Sequence, residues 1–249
     1  MIRSAVSIAF AAALLAAGAA VAGEDAKSAF TPAQREEMKK LVHDYLVQNP
    51  DVITEVVKVL QDRDEKAQAD KQKALIASKS KELQASPEGT VIGNPKGNIT
   101  LVEFFDYNCG YCKSLFPSLL ETVKADGNIR VVMKEFPILG PSSVVASKAA
   151  LAAVKQNKYS EFHIALMGHK GALTEDAIMK TAKDVGLDIA RLEKDMKSDD
   201  IQKVIQRNED LGKELQVNGT PALVIGTTFV PGAISKDELK KLITEARKS

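Results

Sequence analysis

The sequence predicts an α/β domain preceded by an all-helical segment. Two short runs rich in β-branched and aromatic residues, 100–105 and 129–136, flank one helical stretch. About eighty residues of helical periodicity follow. Strand character then returns only at 221–225 and 228–230, ahead of a final helix. A domain running from 89 to 249 has about 160 residues, enough to bury close to 70% of its unfolded surface in one core.

The chain opens with an export signal. Met1-Ile2-Arg3 is a short positive start, residues 5–20 are mostly Ala and Leu, and Ala20-Val21-Ala22 fits a small-x-small cleavage site. Residues 1–22 are therefore expected to be removed and Gly23 to begin an exported, periplasmic chain. That compartment is oxidising, so a cysteine pair there is a structural bridge, a redox site or a metal site.

Residues 23–88 read as helical. Thr31 is a helix cap, Pro32 fits the first helical position, and Gln34 completes a capping box. Leu41, Val42, Tyr45 and Leu46 line one face. Asn49-Pro50 ends this helix and starts the next, with Asn49 as its cap. Ile53, Val56, Val57 and Leu60 recur at three- and four-residue spacing, a stripe too large for two short helices to bury between themselves. The segment is thus expected to join copies of the chain through residues 30–60; a trimer is favoured over a dimer, a choice the stripe itself does not make. From 61 to 73 the sequence is almost wholly polar or charged. A helix from 50 to about 85 would act there as a polar spacer, the alternative being a disordered charged linker.

In the second domain, 86–89 and 93–98 are turn clusters. Residues 100–105 form a buried strand, 114–123 a helix with Leu115, Leu119 and Val123 on one face, and 129–136 a second strand. Helices are expected at 142–156, 159–167, 174–185, 189–196 and 199–215, and a last one at 235–247.

Composition removes several functions. Beyond residue 22 the chain carries 33 basic and 33 acidic side chains, leaving no net positive charge to drive nucleic-acid binding by counterion release. No later apolar run approaches the 18 residues a membrane span needs. Two cysteines do not make a disulfide scaffold.

Those cysteines lie in Cys109-Gly110-Tyr111-Cys112, directly after a strand and at the start of a helix. Backbone N–H groups and the dipole at a helix N-terminus favour a thiolate, which makes Cys109 the nucleophile. Cys112, one turn on, points into the domain and can resolve a mixed disulfide on Cys109. Asp106 opposes the thiolate if its carboxylate lies close by. A structural bridge over so small a loop contributes little. Haem attachment needs a histidine where Lys113 stands. Closed zinc sites need four ligands, and His43, His163 and His169 read as surface or packing residues. Cu(I) held by Cys109 and Cys112 is the metal alternative. A redox pair with no further cofactor is the reading preferred.

The segment Phe104-Phe105-Asp106-Tyr107-Asn108-Cys109-Gly110-Tyr111-Cys112 resembles the active site of the DsbA-like branch of the thioredoxin superfamily. That resemblance implies a thioredoxin fold with an inserted helical domain at about 137–219. It makes Glu103 the buried acid near the second cysteine, with Lys134 as a possible partner, and Gly219-Thr220-Pro221 the cis-proline loop that pairs with an extended substrate. Phe30-Thr31-Pro32 and Asn49-Pro50 are similar to the oligomerisation region of the suppressor-of-copper-sensitivity C proteins. Gly-Tyr between the cysteines and Thr220 before the proline differ from strongly oxidising DsbA proteins. The resemblance therefore implies a periplasmic disulfide isomerase or reductase acting on misoxidised proteins and kept reduced by a membrane redox partner. Copper binding and simple dithiol oxidase activity are the alternatives.

Overall fold

The computed structural model describes residues 30–248, so the expected export signal at 1–22 lies outside the described residues. The chain divides into two units, 1–62 and 63–249.

In the first unit, α1 spans Pro32–Gln48 behind the Thr31/Gln34 capping box. Helix α2 spans Asp51–Ser78 and begins in this unit. Asn49 serves the end of α1 rather than the start of α2, since its Nδ2 and its backbone N–H both donate to the Tyr45 carbonyl. Leu41, Val42, Tyr45, Ile53, Val56, Val57 and Leu60 are all exposed in the single chain.

The second unit begins within α2, well before the expected boundary at 88. The remaining elements are α3 (Ser80–Gln84), β1 (Val91–Gly93), β2 (Ile99–Phe105), α4 (Gly110–Asp126), β3 (Ile129–Glu135), α5 (Pro141–Ala153), α6 (Tyr159–Gly168), α7 (Glu175–Asp184), α8 (Ile189–Asp195), α9 (Asp199–Glu214), β4 (Ala222–Ile225), β5 (Thr228–Pro231) and α10 (Lys236–Ala246). The five strands form one sheet in the order β1-β3-β2-β4-β5, with β2 and β3 parallel and the other pairs antiparallel. Strand β1 was hidden in the sequence: it is three residues long and ends at Gly93 (φ +81), where a Cβ would lie 2.6 Å from the Ile129 carbonyl.

Central strand β2 is covered on both faces, which is why it reads as a continuous apolar run. Leu101 and Phe105 join one core with α4, α5, α6 and α10, whereas Val102 and Phe104 join a second core on the opposite face. That second core explains the shifted boundary. Ile76 and Leu83 are buried in it, Gln72 donates to the Leu215 carbonyl (2.9 Å), and Lys79 pairs with Glu214 (2.6 Å). Helix α2 stops at Ser78, and Lys79 (φ −95°, ψ 9°) turns the chain into α3. Only the early part of the polar helix therefore lacks a buried side, and its end is a strap on the sheet.

Candidate active site

Helix α4 starts immediately after Cys109, its N-cap (φ −75°, ψ 114°). The Cys109 sulfur accepts the backbone N–H of Cys112 (3.2 Å) and lies 3.1 Å from the Thr220 carbonyl oxygen. The latter contact joins residues 111 positions apart, and Thr220-Pro221 is a cis peptide. Both cysteines are free and buried, Cys112 completely. Tyr111 is 73% exposed, so the middle of the motif faces solvent while the sulfurs do not.

The two thiols differ in character. The Cys112 thiol and the amides opening α4 stabilise the Cys109 thiolate and outweigh its burial, lowering its pKa to about 6. Cys112 is pushed far up by the neighbouring Cys109 sulfur, by burial and by Glu103. At neutral pH the pair is one thiolate and one thiol.

Glu103 lies on β2, opposite Met133 on β3 and Leu223 on β4. It is fully buried, and neither carboxyl oxygen has a hydrogen-bond partner among the described residues. Burial, and then the charge of Cys109, raise its pKa to about 8. Its expected pairing with Lys134 fails. Phe104, not Glu103, is in register with Lys134, so the one-residue offset puts the two on opposite faces of the sheet. Lys134 instead donates to the carbonyls of Glu82 (2.9 Å) and Ala85 (2.5 Å), holding the strap. Burial, with Arg130 and Arg207, lowers its pKa to about 8.

The structure adds polar groups that the pattern of residues had not marked. Glu135, at the end of β3, accepts hydrogen bonds from the hydroxyls of Tyr107 (3.1 Å), Tyr159 (3.1 Å) and Ser147 (2.7 Å). His163 Nδ1 lies 2.8 Å from the Tyr107 hydroxyl, among Phe105, Phe116 and Tyr159. Burial raises Glu135 to about 8 and lowers His163 to about 3, so the histidine is a neutral packing residue. Asp106 does not confront the thiolate as a free carboxylate, because Asn108 N, Leu139 N and Ser143 Oγ all donate to it. The only sequence signal for this network was the placement of Asp106 and Tyr107 just ahead of Cys109.

Comparison with known proteins gives matches over both parts of the chain. The model of the DSBA-like thioredoxin domain matches residues 100–244, and that of the copper resistance protein ScsC N-terminal domain matches 34–67. A thioredoxin-like oxidoreductase from Silicibacter pomeroyi is 42% identical, covering 68% of this chain and 97% of its own with a TM-score of 0.66. ScsC from Proteus mirabilis in a transitional conformation is 32% identical, covering 88% and 98%, with a TM-score of 0.64. The Na(+)/H(+) antiporter NhaA 1 of Salinispora arenicola is 29% identical over 160 residues, 63% of this chain; the chain spans 24% of the antiporter's length. With a family model covering more than half of its length, the chain belongs to the DsbA-like thioredoxin domain family, carrying an N-terminal segment of the ScsC type.

Proposed function

We propose that the chain is a periplasmic, homo-oligomeric protein disulfide isomerase or reductase. The observation that carries this reading is the asymmetry of the two thiols: an ionised Cys109 beside the Thr220 carbonyl, and a protonated Cys112 buried beneath it near Glu103. The Cys109 thiolate attacks one sulfur of a client disulfide, forming a mixed disulfide and expelling the other sulfur as a thiolate. If that client thiolate, or another in the client, attacks the mixed disulfide, Cys109 leaves reduced and the client bond has moved with no net oxidation. If Cys112 attacks Cys109 instead, its proton goes to the departing client sulfur, the client leaves with two reduced thiols, and the chain holds a Cys109–Cys112 disulfide. A membrane dithiol partner would then return two electrons. The Thr220 backbone, whose carbonyl lies against Cys109 Sγ, would align an extended client chain beside the thiol, with Gly110 and Tyr111 at the edge of the site. No further cofactor is required.

The exposed apolar stripe on α1 and α2 supports oligomerisation, as do the ScsC-type match and the export signal for a periplasmic role. Scrambled-ribonuclease reactivation tests the whole reading. Cys109→Ser should abolish it, and Val56→Asp with Leu60→Asp should reduce the oligomer to monomers by light scattering and weaken isomerisation per site. Retained activity in Cys109→Ser, or an unchanged mass in the charged variant, would defeat the corresponding part.

A second reading is favoured by the ScsC-type match alone: Cu(I) held by Cys109 and Cys112. Two thiols supply a soft but incomplete donor set, and among the described residues no group of three or more His, Cys, Asp or Glu could hold a metal. Tight Cu(I) stoichiometry without thiol exchange would favour this reading.

A further inference from the structure

We infer that Asp106 is a positioning residue for Cys109, tying the turn that carries the thiol to the loop 137–140 and to the first turn of α5. The placement of the sulfur is at issue, and the proposed function enters only through the use made of it.

Asp106 follows β2 and is fully buried. Its Oδ1 accepts the backbone N–H of Asn108 (2.7 Å) and the hydroxyl of Ser143 (2.7 Å), and Oδ2 accepts the N–H of Leu139 (2.9 Å). The Asp106 carbonyl accepts the N–H of Cys109 (3.0 Å). The Asn108 amide reinforces the knot by donating to Ser142 Oγ (3.0 Å) and Ser143 Oγ (2.9 Å). Residues 106–109 are thus fixed from both sides, and this fixes the N-cap geometry that brings Cys109 Sγ within reach of the Cys112 N–H. An amide cannot replace the carboxylate. With its oxygen toward Asn108 and Ser143, its NH2 faces the Leu139 N–H, donor against donor; turned the other way, its NH2 faces the Asn108 N–H, donor against donor, with Ser143 Oγ left as an acceptor. Either orientation gives up one of the two backbone N–H bonds that the carboxylate accepts.

Other charged groups set the background. Lys113 on α4 and Glu135 on β3 feel the Asp106 charge, while Cys109 faces Cys112 on α4 and Glu103 on β2. Asp106 has two possible effects on Cys109, and they differ in sign. If it acts only through its charge, removing that charge favours the thiolate and lowers the ionisation midpoint. If it acts by positioning, removing the tether takes the sulfur from its N–H donor and raises the midpoint.

The experiment follows Cys109 ionisation in the reduced full chain by ultraviolet thiolate absorbance and iodoacetamide alkylation, comparing the parent with Asp106→Asn and Ser143→Ala. We expect Asp106→Asn to raise the midpoint by about one pH unit and to slow alkylation about tenfold near pH 5, with a smaller shift in the same direction for Ser143→Ala. A midpoint that falls or stays at the parental value in Asp106→Asn overturns the inference. Should that variant fail to fold, Ser143→Ala decides, and a parental midpoint there overturns it. A parent that exchanges no client disulfide defeats the proposed function but leaves this titration result standing.

Discussion

Replacing Glu103 with Gln tests the electrostatics of the site through folding stability. The carboxyl is fully buried without a hydrogen-bond partner among the described residues, and its pKa is raised from 4.5 to about 8, first by burial and then by Cys109. Below pH 4.5 the acid is protonated in both the folded and the unfolded chain and contributes no pH dependence. Between 4.5 and about 8 the unfolded chain releases the proton while the folded chain keeps it, so stability falls as pH rises. At about 1.4 kcal/mol per tenfold, the loss reaches about 3 kcal/mol at pH 7 and about 5 kcal/mol once pH exceeds the folded value. Gln is neutral throughout and nearly isosteric with the protonated acid. Urea unfolding of the reduced proteins should therefore show Glu103→Gln equal to the parent near about pH 4, about 3 kcal/mol more stable at about pH 7, and more stable still at about pH 9. In the disulfide form the Cys109 charge disappears and the gap should narrow. A difference between parent and variant that is flat from acid to alkaline pH would refute the reasoning.

Three further outcomes follow from packing. Leu83→Ala should destabilise the second unit by about 2–4 kcal/mol in urea, because Leu83 fills the core behind the sheet; a free spacer helix would lose almost nothing. Tyr107→Phe leaves His163 Nδ1 without its partner and removes one donor from Glu135, and should cost about 1–3 kcal/mol by the same measurement. Gly212→Ala should cost about 1–3 kcal/mol in thermal unfolding, since its Cβ would meet Phe136 Cε2 at 2.5 Å; a neutral result would mean that the ring has room to turn.

Long periodic elements and short-range chemistry were legible from residues alone. The Thr31 capping box, the strand runs at 100–105 and 129–136 and the five central helices rest on contacts within one turn or on an alternation that one strand expresses by itself. The placement of Cys109 at a strand-to-helix turn likewise follows from neighbouring residues. Strand β1 escaped because three residues are too few to show a period. The strap at 72–85 escaped because two buried residues, Ile76 and Leu83, in a charged stretch look like chance until the groove that receives them exists.

The amino-acid order by itself determined the α/β plan, the paired cysteines at a helix start, the polar stretch ahead of the domain and the neutral charge balance. Tertiary structure alone decided which side of the sheet each polar residue occupies, and with it that Lys134 holds the strap while Glu103 faces the cysteines. It also decided that Thr220 meets Cys109 and that Asp106, Tyr107 and Glu135 are satisfied by partners from α5 and α6. The physical reason is common to all of these: burial and hydrogen-bond partners depend on residues brought together from distant parts of the chain, and a carboxylate's role changes with the donors that surround it.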